Sequence, residues 1–234
     1  MSDLNLFQDV DECVEDALRT VGNEVIVGLP IAVGKPTHIA NALYRKAQQN
    51  SNIRLTLCSG LTLQTPKWKS DLERRFFEPL VGRLFPDYPD PAYLVDAHRK
   101  ALPPNVMLKE FYFSPGLSLH NCHLQANYIS TNYTHVARDI SAMGANMTAV
   151  MMGKGSGRNE GMYNLGSNAD ATIMSIWSLL AEKKKGRKVA ILGQVNENMP
   201  YMYGRTEVPP EYFTGILDNP KYNHQLFAPP KEPL

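Results

Sequence analysis

Val25-Ile-Val-Gly-Leu-Pro-Ile-Ala-Val-Gly-Lys-Pro36 reads as a strand that stops in a glycine-bounded turn and releases a helix. Val25–Val27 is a short β-branched run, and Gly28 and Pro30 end it. From Pro36 to Gln49 the apolar residues Ile39, Leu43 and Ala47 recur at helical spacing. A second apolar run, Ile53–Cys58, closes at Ser59-Gly60.

The same alternation extends in both directions. Upstream, Asp9 with Glu12 makes a capping box, Val10, Val14, Ala17, Leu18 and Val21 follow a helical period, and Gly22 is a stop. Downstream, Ser70, Leu72, Glu73, Phe76 and Leu80 mark a capped helix, and a proline-rich stretch surrounds a helix near Tyr93–Leu102. A strand is expected at Val106–Phe113, then a helix capped by Thr134 that carries Val136, Ile140 and Met143 and stops at Gly144. Met147–Met152 is an apolar strand. Ser167 and Asp170 open a helix bearing Ile173, Ile176, Trp177 and Leu180, and Val189–Val195 is the last clear strand. Continuous apolar strands alternating with helices predict an α/β fold, a mostly parallel sheet with helices on both faces. Ligands of such sheets bind beyond the carboxyl ends of the strands. That directs attention to the loops at 28–35, 59–65, 114–120, 153–166 and 196–204. Residues 1–206 form the expected domain. Residues 207–234, rich in proline and poor in periodicity, read as a linker or arm.

Composition narrows the function classes. A net charge of +1 over 234 residues gives no electrostatic footprint for nucleic acid or an acidic membrane. No apolar run is long enough to span a bilayer, and no secretory signal opens the chain, so a cytoplasmic protein is expected. Cys13, Cys58 and Cys122 are odd in number and widely spaced, as free thiols of a reducing compartment are.

Several motifs come close to known chemistry and fail on spacing. Gly28–Lys35 has five residues between its glycines where a phosphate loop has four, and Pro36 replaces the hydroxyl residue that would hold magnesium. A turn offering backbone amides to an anion or carbonyl, and a plain structural turn, both remain open there. Gly153-Lys-Gly-Ser-Gly-Arg-Asn-Glu-Gly161 is separated from its helix, unlike a dinucleotide fingerprint, and is expected as a flexible loop over a cleft. His120-Asn-Cys122-His123 lacks the second ligand cluster of a zinc site, so no metal is expected.

Gly161-Met-Tyr-Asn-Leu-Gly166-Ser-Asn-Ala-Asp170 resembles a conserved segment of the acetyl-CoA hydrolase / acyl-CoA transferase family, whose members include 4-hydroxybutyrate CoA-transferases; Asn164 stands where the family has a small residue. Gln194-Val-Asn196-Glu-Asn-Met199-Pro200, followed by Gly204, resembles a second family stretch after a strand. The early Gly28-Leu-Pro30 loop fits more loosely.

The resemblance implies two similar α/β domains with the active site between them, this chain matching the amino-terminal one. It implies that the glutamate nucleophile, the oxyanion amides and most coenzyme A contacts lie in a carboxy-terminal domain, in the same longer chain or in a separate subunit. No catalytic residue is therefore expected here; Glu160 aligns with an ordinary polar position. The expected contribution is an acyl-substrate wall made by Gly28, Leu29, Pro30, Ser59, Gly60, Asn196, Met199 and Pro200. Acyl-CoA and carboxylates are the implied substrates, and a homo-oligomer is one way to cover an exposed apolar face. A different class of function, a binding or assembly module that kept the fold without thioester chemistry, is the alternative.

Overall fold

The computed structural model describes residues 4–116 and 118–226. Nine strands and seven helices follow in chain order among them: β1 (Asn5–Phe7), α1 (Val10–Val21), β2 (Glu24–Gly28), α2 (Thr37–Gln49), β3 (Arg54–Ser59), α3 (Asp71–Leu84), α4 (Ala92–His98), β4 (Val106–Glu110), α5 (Cys122–Ala126), α6 (Val136–Ala142), β5 (Met147–Lys154), β6 (Tyr163–Asn164), α7 (Asp170–Lys184), β7 (Ala190–Val195), β8 (Glu207–Val208) and β9 (Gly215–Leu217). Seven strands form one sheet in the order β1-β9-β7-β5-β2-β3-β4, and every neighbouring pair in it is parallel. β6 and β8 extend it as a small antiparallel flap on the end of β5. The expected α/β class and mostly parallel sheet are both present.

Alternation along the strands decides what each face buries. Val25, Val27, Leu55, Leu57, Met147, Ala149, Ala190 and Leu192 share one core with residues of α1, α2 and α4. The intervening positions Val150, Met152, Ile191 and Val195 pack with Ile176 and Leu179 of α7, and Cys58 packs with Val136 and Ile140 of α6. Two helical layers thus cover the two faces, which is why the strands read as continuous apolar runs.

Local signals explain most boundaries. The Asp9 carboxylate accepts from the Asp11 amide at 2.9 Å and starts α1. Gly22, at φ 83°, ends it and returns its N–H to Leu18 O at 2.8 Å. Ser70 Oγ accepts from Glu73 N at 3.2 Å, while Glu73 reaches back to Lys69 N at 2.6 Å, so α3 is held at its start from both sides. Thr134 does not cap α6: its hydroxyl bonds Asn132 Oδ1, and it is that oxygen which takes the His135 amide. The expected strand after Val106 ends at Glu110 rather than Phe113, and the helix from Ala92 ends at His98, followed by left-handed Lys100.

The largest difference lies in the stretch expected to be a linker or arm. Within residues 207–226, β8 pairs with β6 and β9 inserts between β7 and β1. Ile216 and Leu217 are fully buried, and the Tyr222 hydroxyl accepts from Val10 N at 2.9 Å. A three-residue buried strand is too short to show a period, so proline content dominated the sequence signal. Residues 227–234 of that stretch lie outside the described residues.

Candidate functional site at the carboxyl edge of the sheet

Because the main strands are parallel, β2, β3, β4, β5, β7 and β9 all deliver their following loops to one edge. Strand order adds a focus. From β2 the chain steps outward through β3 to β4, and from β5 outward through β7 to β9, so the order reverses between β2 and β5. Such a reversal opens a crevice at the carboxyl ends. β2 and β5 pair only through Val27–Met147 and Gly28–Thr148.

Two glycine-bearing segments close that crevice. Asn168, in the short turn Gly166–Asn168, donates from Nδ2 to Ile31 O at 2.8 Å. Gly34 lies directly beneath it: a Cβ there would stand 2.1 Å from Asn168 Cγ. Below this contact is a cavity of ≈ 20 Å³ bounded by Gly28, Phe111, Ile140, Thr148 and Thr172 among others. Thr148 Oγ1 donates to Gly28 O at 2.9 Å, whereas the buried Thr172 hydroxyl has no hydrogen-bond partner. The space is enough for one water molecule or a methyl group.

Lys35 supplies the electrostatic centre. Its side chain is buried, with 1% of the residue exposed. Nζ donates to Pro30 O at 2.5 Å and to Gly60 O at 3.1 Å, and is hydrogen-bonded to Ser59 Oγ. Burial pulls its pKa down to about 8, against the opposing pull of the Glu110 carboxylate. Glu110, opposite Ser59 in the β3–β4 register, is raised by its own burial, against which Lys35 and a hydrogen bond from the Thr62 hydroxyl act. Three acceptors around one nitrogen match an ammonium with three donors. Cys58, beside this pair, has its thiol pushed up to about 12 by burial and is a packing residue rather than a nucleophile.

The expected wall residues all reach this edge, but mostly as its framework. Gly28, Leu29, Pro30, Ser59 and Gly60 are buried around Lys35 and the cavity. Gly60 has no room for a side chain, since a Cβ would meet the Phe111 ring at 2.7 Å. Asn196 is buried at the end of β7, where its amide donates to His224 O at 3.0 Å. Met199 packs on Gly153 and Gly166, a Cβ on the latter standing 2.3 Å from its Sδ, and Pro200 is exposed. Gly153–Gly161, expected as a flexible loop, leaves β5 and returns in β6 through the bond from Gly155 N to Met162 O at 2.8 Å. Glu160 is exposed on that turn.

Lys35, Thr62 and Glu110 were absent from the expected site. Lys35 was visible as the lysine of a near-phosphate loop, but nothing in its spacing announces that it folds inward. Among the described residues no group of three or more His, Cys, Asp and Glu side chains is placed to hold a metal, and no helix is long and apolar enough to cross a membrane.

Comparison with solved structures places this geometry among known folds. RipA from Yersinia pestis aligns with a TM-score of 0.59 at 13% identity, over 98% of this chain and 45% of the RipA chain. The fold resembles that of RipA. A point-substituted RipA gives a TM-score of 0.63 at 13% identity, over 98% of this chain and 44% of its own. A 4-hydroxybutyrate CoA-transferase from Porphyromonas gingivalis gives 0.47 at 15% identity, over 91% of this chain and 38% of that one. This chain therefore spans less than half the length of the RipA chains it matches. No protein-family model matches the sequence, and no curated protein does. At these identities the likeness is one of fold.

Proposed function

We propose that this chain is the amino-terminal half of an acyl-CoA hydrolase or CoA-transferase, and that its carboxyl edge is the acyl-substrate wall of an interdomain active site. One observation carries the reading. The two segments whose sequence resembles that family, Gly161–Asp170 and Gln194–Gly204, are packed on each other at the carboxyl edge of the sheet. Met199 fills the space over Gly166, and Asn164 bonds Met202 O at 2.7 Å and takes the Met202 amide at 3.1 Å. Motifs distant in sequence and joined at a ligand-binding edge fit one site better than two independent structural turns.

The chemistry divides between this wall and groups elsewhere. Acyl exchange needs a carboxylate nucleophile that forms an anhydride with the acyl group and then a thioester with coenzyme A. Developing charge on the thioester oxygen needs fixed amides. A glutamate and those amides would come from a carboxy-terminal domain, in one longer chain or a separate subunit, with acyl-CoA and a carboxylate as substrates. The wall orients the acyl group and excludes water. The free thiols of Cys13, Cys58 and Cys122 fit a reducing cytoplasm.

The test recombines this chain with a carboxy-terminal domain, or uses a natural longer polypeptide, and follows thioester loss from a panel of short acyl-CoAs with and without an acceptor carboxylate. Turnover that needs both halves supports the proposal. Absence of hydrolysis and exchange across the panel rejects it. A binding or assembly module is the second reading, favoured by the internal hydrogen bonds that occupy Ser59 and Asn196; it expects no turnover in any combination.

A further inference from the structure

We infer that Lys35 is a positioning residue whose buried ammonium clasps the 28–35 and 59–62 loops together and holds their strained backbone in the shape the acyl wall requires. What the wall receives rests on the proposed function; the clasp itself rests on geometry alone.

The ammonium is the one group that touches both loops at three points: Pro30 O on the first, Ser59 Oγ and Gly60 O on the second. Each loop also contains a non-glycine residue in the left-handed region, Ala32 at φ 48° and Leu61 at φ 42°. Among the described residues Lys100 is the only other non-glycine residue there. Side chains disfavour that conformation, and it persists only where the surroundings over-determine it. The surroundings here are explicit. Asn168 bonds the carbonyl just before Ala32, and Tyr112 O takes the Leu61 amide at 2.7 Å. The Phe111 ring fills the space a Gly60 side chain would need, while Lys35 holds the Gly60 carbonyl.

An apolar residue could fill the space at lower desolvation cost, since a buried charge is costly to keep even with its hydrogen bonds made. It would leave the Gly60 carbonyl and the Ser59 oxygen without their donor, and Pro30 O with only the longer bond from the Ser59 hydroxyl at 3.4 Å. A lysine with Glu110 behind it satisfies all three from a single point, and so fixes the distance between the loops. Pre-set geometry of this kind speeds a reaction by orientation rather than by contact with the reacting atoms.

The experiment uses Lys35→Met, Ala32→Gly and Leu61→Gly. In the 234-residue chain, Lys35→Met should speed hydrogen exchange of the Leu29 and Leu61 amides by about tenfold or more, with β5 and β7 amides unchanged. In the thioester assay it should lower kcat by about tenfold while KM for acyl-CoA stays within about twofold, the pattern of lost positioning rather than lost binding. The two glycine variants release the strain and keep the ammonium, so they should melt no earlier than the parent and still lose kcat. Native exchange at Leu29 and Leu61 in Lys35→Met overturns the clasp whatever the assay shows. Raised exchange with an unchanged kcat overturns the positioning role. If Lys35→Met does not fold, full kcat in both glycine variants overturns it instead. If the parent enzyme shows no thioester turnover, the proposed function fails separately, and the exchange measurement decides the clasp.

Discussion

Gly166 shows how one residue ties two distant segments. At φ 55° it occupies backbone space that side chains avoid, and Met199 fills the volume its missing side chain leaves. Gly166→Ala should therefore cost roughly 1–3 kcal/mol, from the left-handed conformation and from displacing Met199. A denaturant midpoint indistinguishable from the parent would contradict this. A second residue-scale expectation concerns His224, which is 2% exposed with no hydrogen-bond partner on either ring nitrogen. It packs against Tyr88 and His38, with ring centroids 5.8 Å and 6.0 Å away. Burial, and then His224 itself, push His38 down to about 4, and burial lowers His224 against the opposing effects of the Tyr222 backbone and Asp87. The unfolded chain accepts protons on both near 6.5 while the folded chain refuses them. Unfolding thus takes up protons, and these two groups should make stability fall as pH drops from about 6.5 toward about 4, adding no slope above that window. His224→Phe keeps the ring packing and should flatten that limb of the stability curve; an unchanged slope would exclude the assignment. At this scale the sequence was least informative. The glycines and Asn196 could be picked out by motif, but burial of Lys35 and Glu110 depends on which loops meet, and that is a property of strand order.

At the scale of elements, helices with their own stop and start signals were legible. Asp9, Gly22 and Ser70 act where the sequence placed them, because a cap is a local hydrogen bond that needs no tertiary partner. Ser70→Ala should cost about 1 kcal/mol of local stability in α3, read as faster amide exchange through Asp71–Leu84 with little change in the global melt. A global loss of the same size would mean that α3 is coupled to the core, although none of its residues is fully buried and Leu72 and Phe76 are 79% and 71% exposed. β1, β6, β8 and β9 were not legible, being two or three residues long. Such strands exist because a neighbouring edge offers hydrogen bonds, not because their own sequence repeats.

At the scale of the molecule, the alternation of strands and helices carried the fold class, and a parallel sheet followed from it. What it could not carry was closure at the far edge. Ending the chain after Tyr203 removes β8 and β9, strips β7 of one partner and leaves β1 with none. Such a chain should lose its cooperative melt and aggregate through the bared β7 edge. A soluble fragment with the parent's melting temperature would show that residues 204–226 are dispensable after all.

The pairing of β1 with β9 also sets a timetable. Asn5 lies opposite Gly215 and Phe7 opposite Leu217, so β1 is made long before the strand it pairs with. During synthesis the opening residues remain unmatched while β2 through β7 assemble, and the sheet is completed only after translation has passed its final strand.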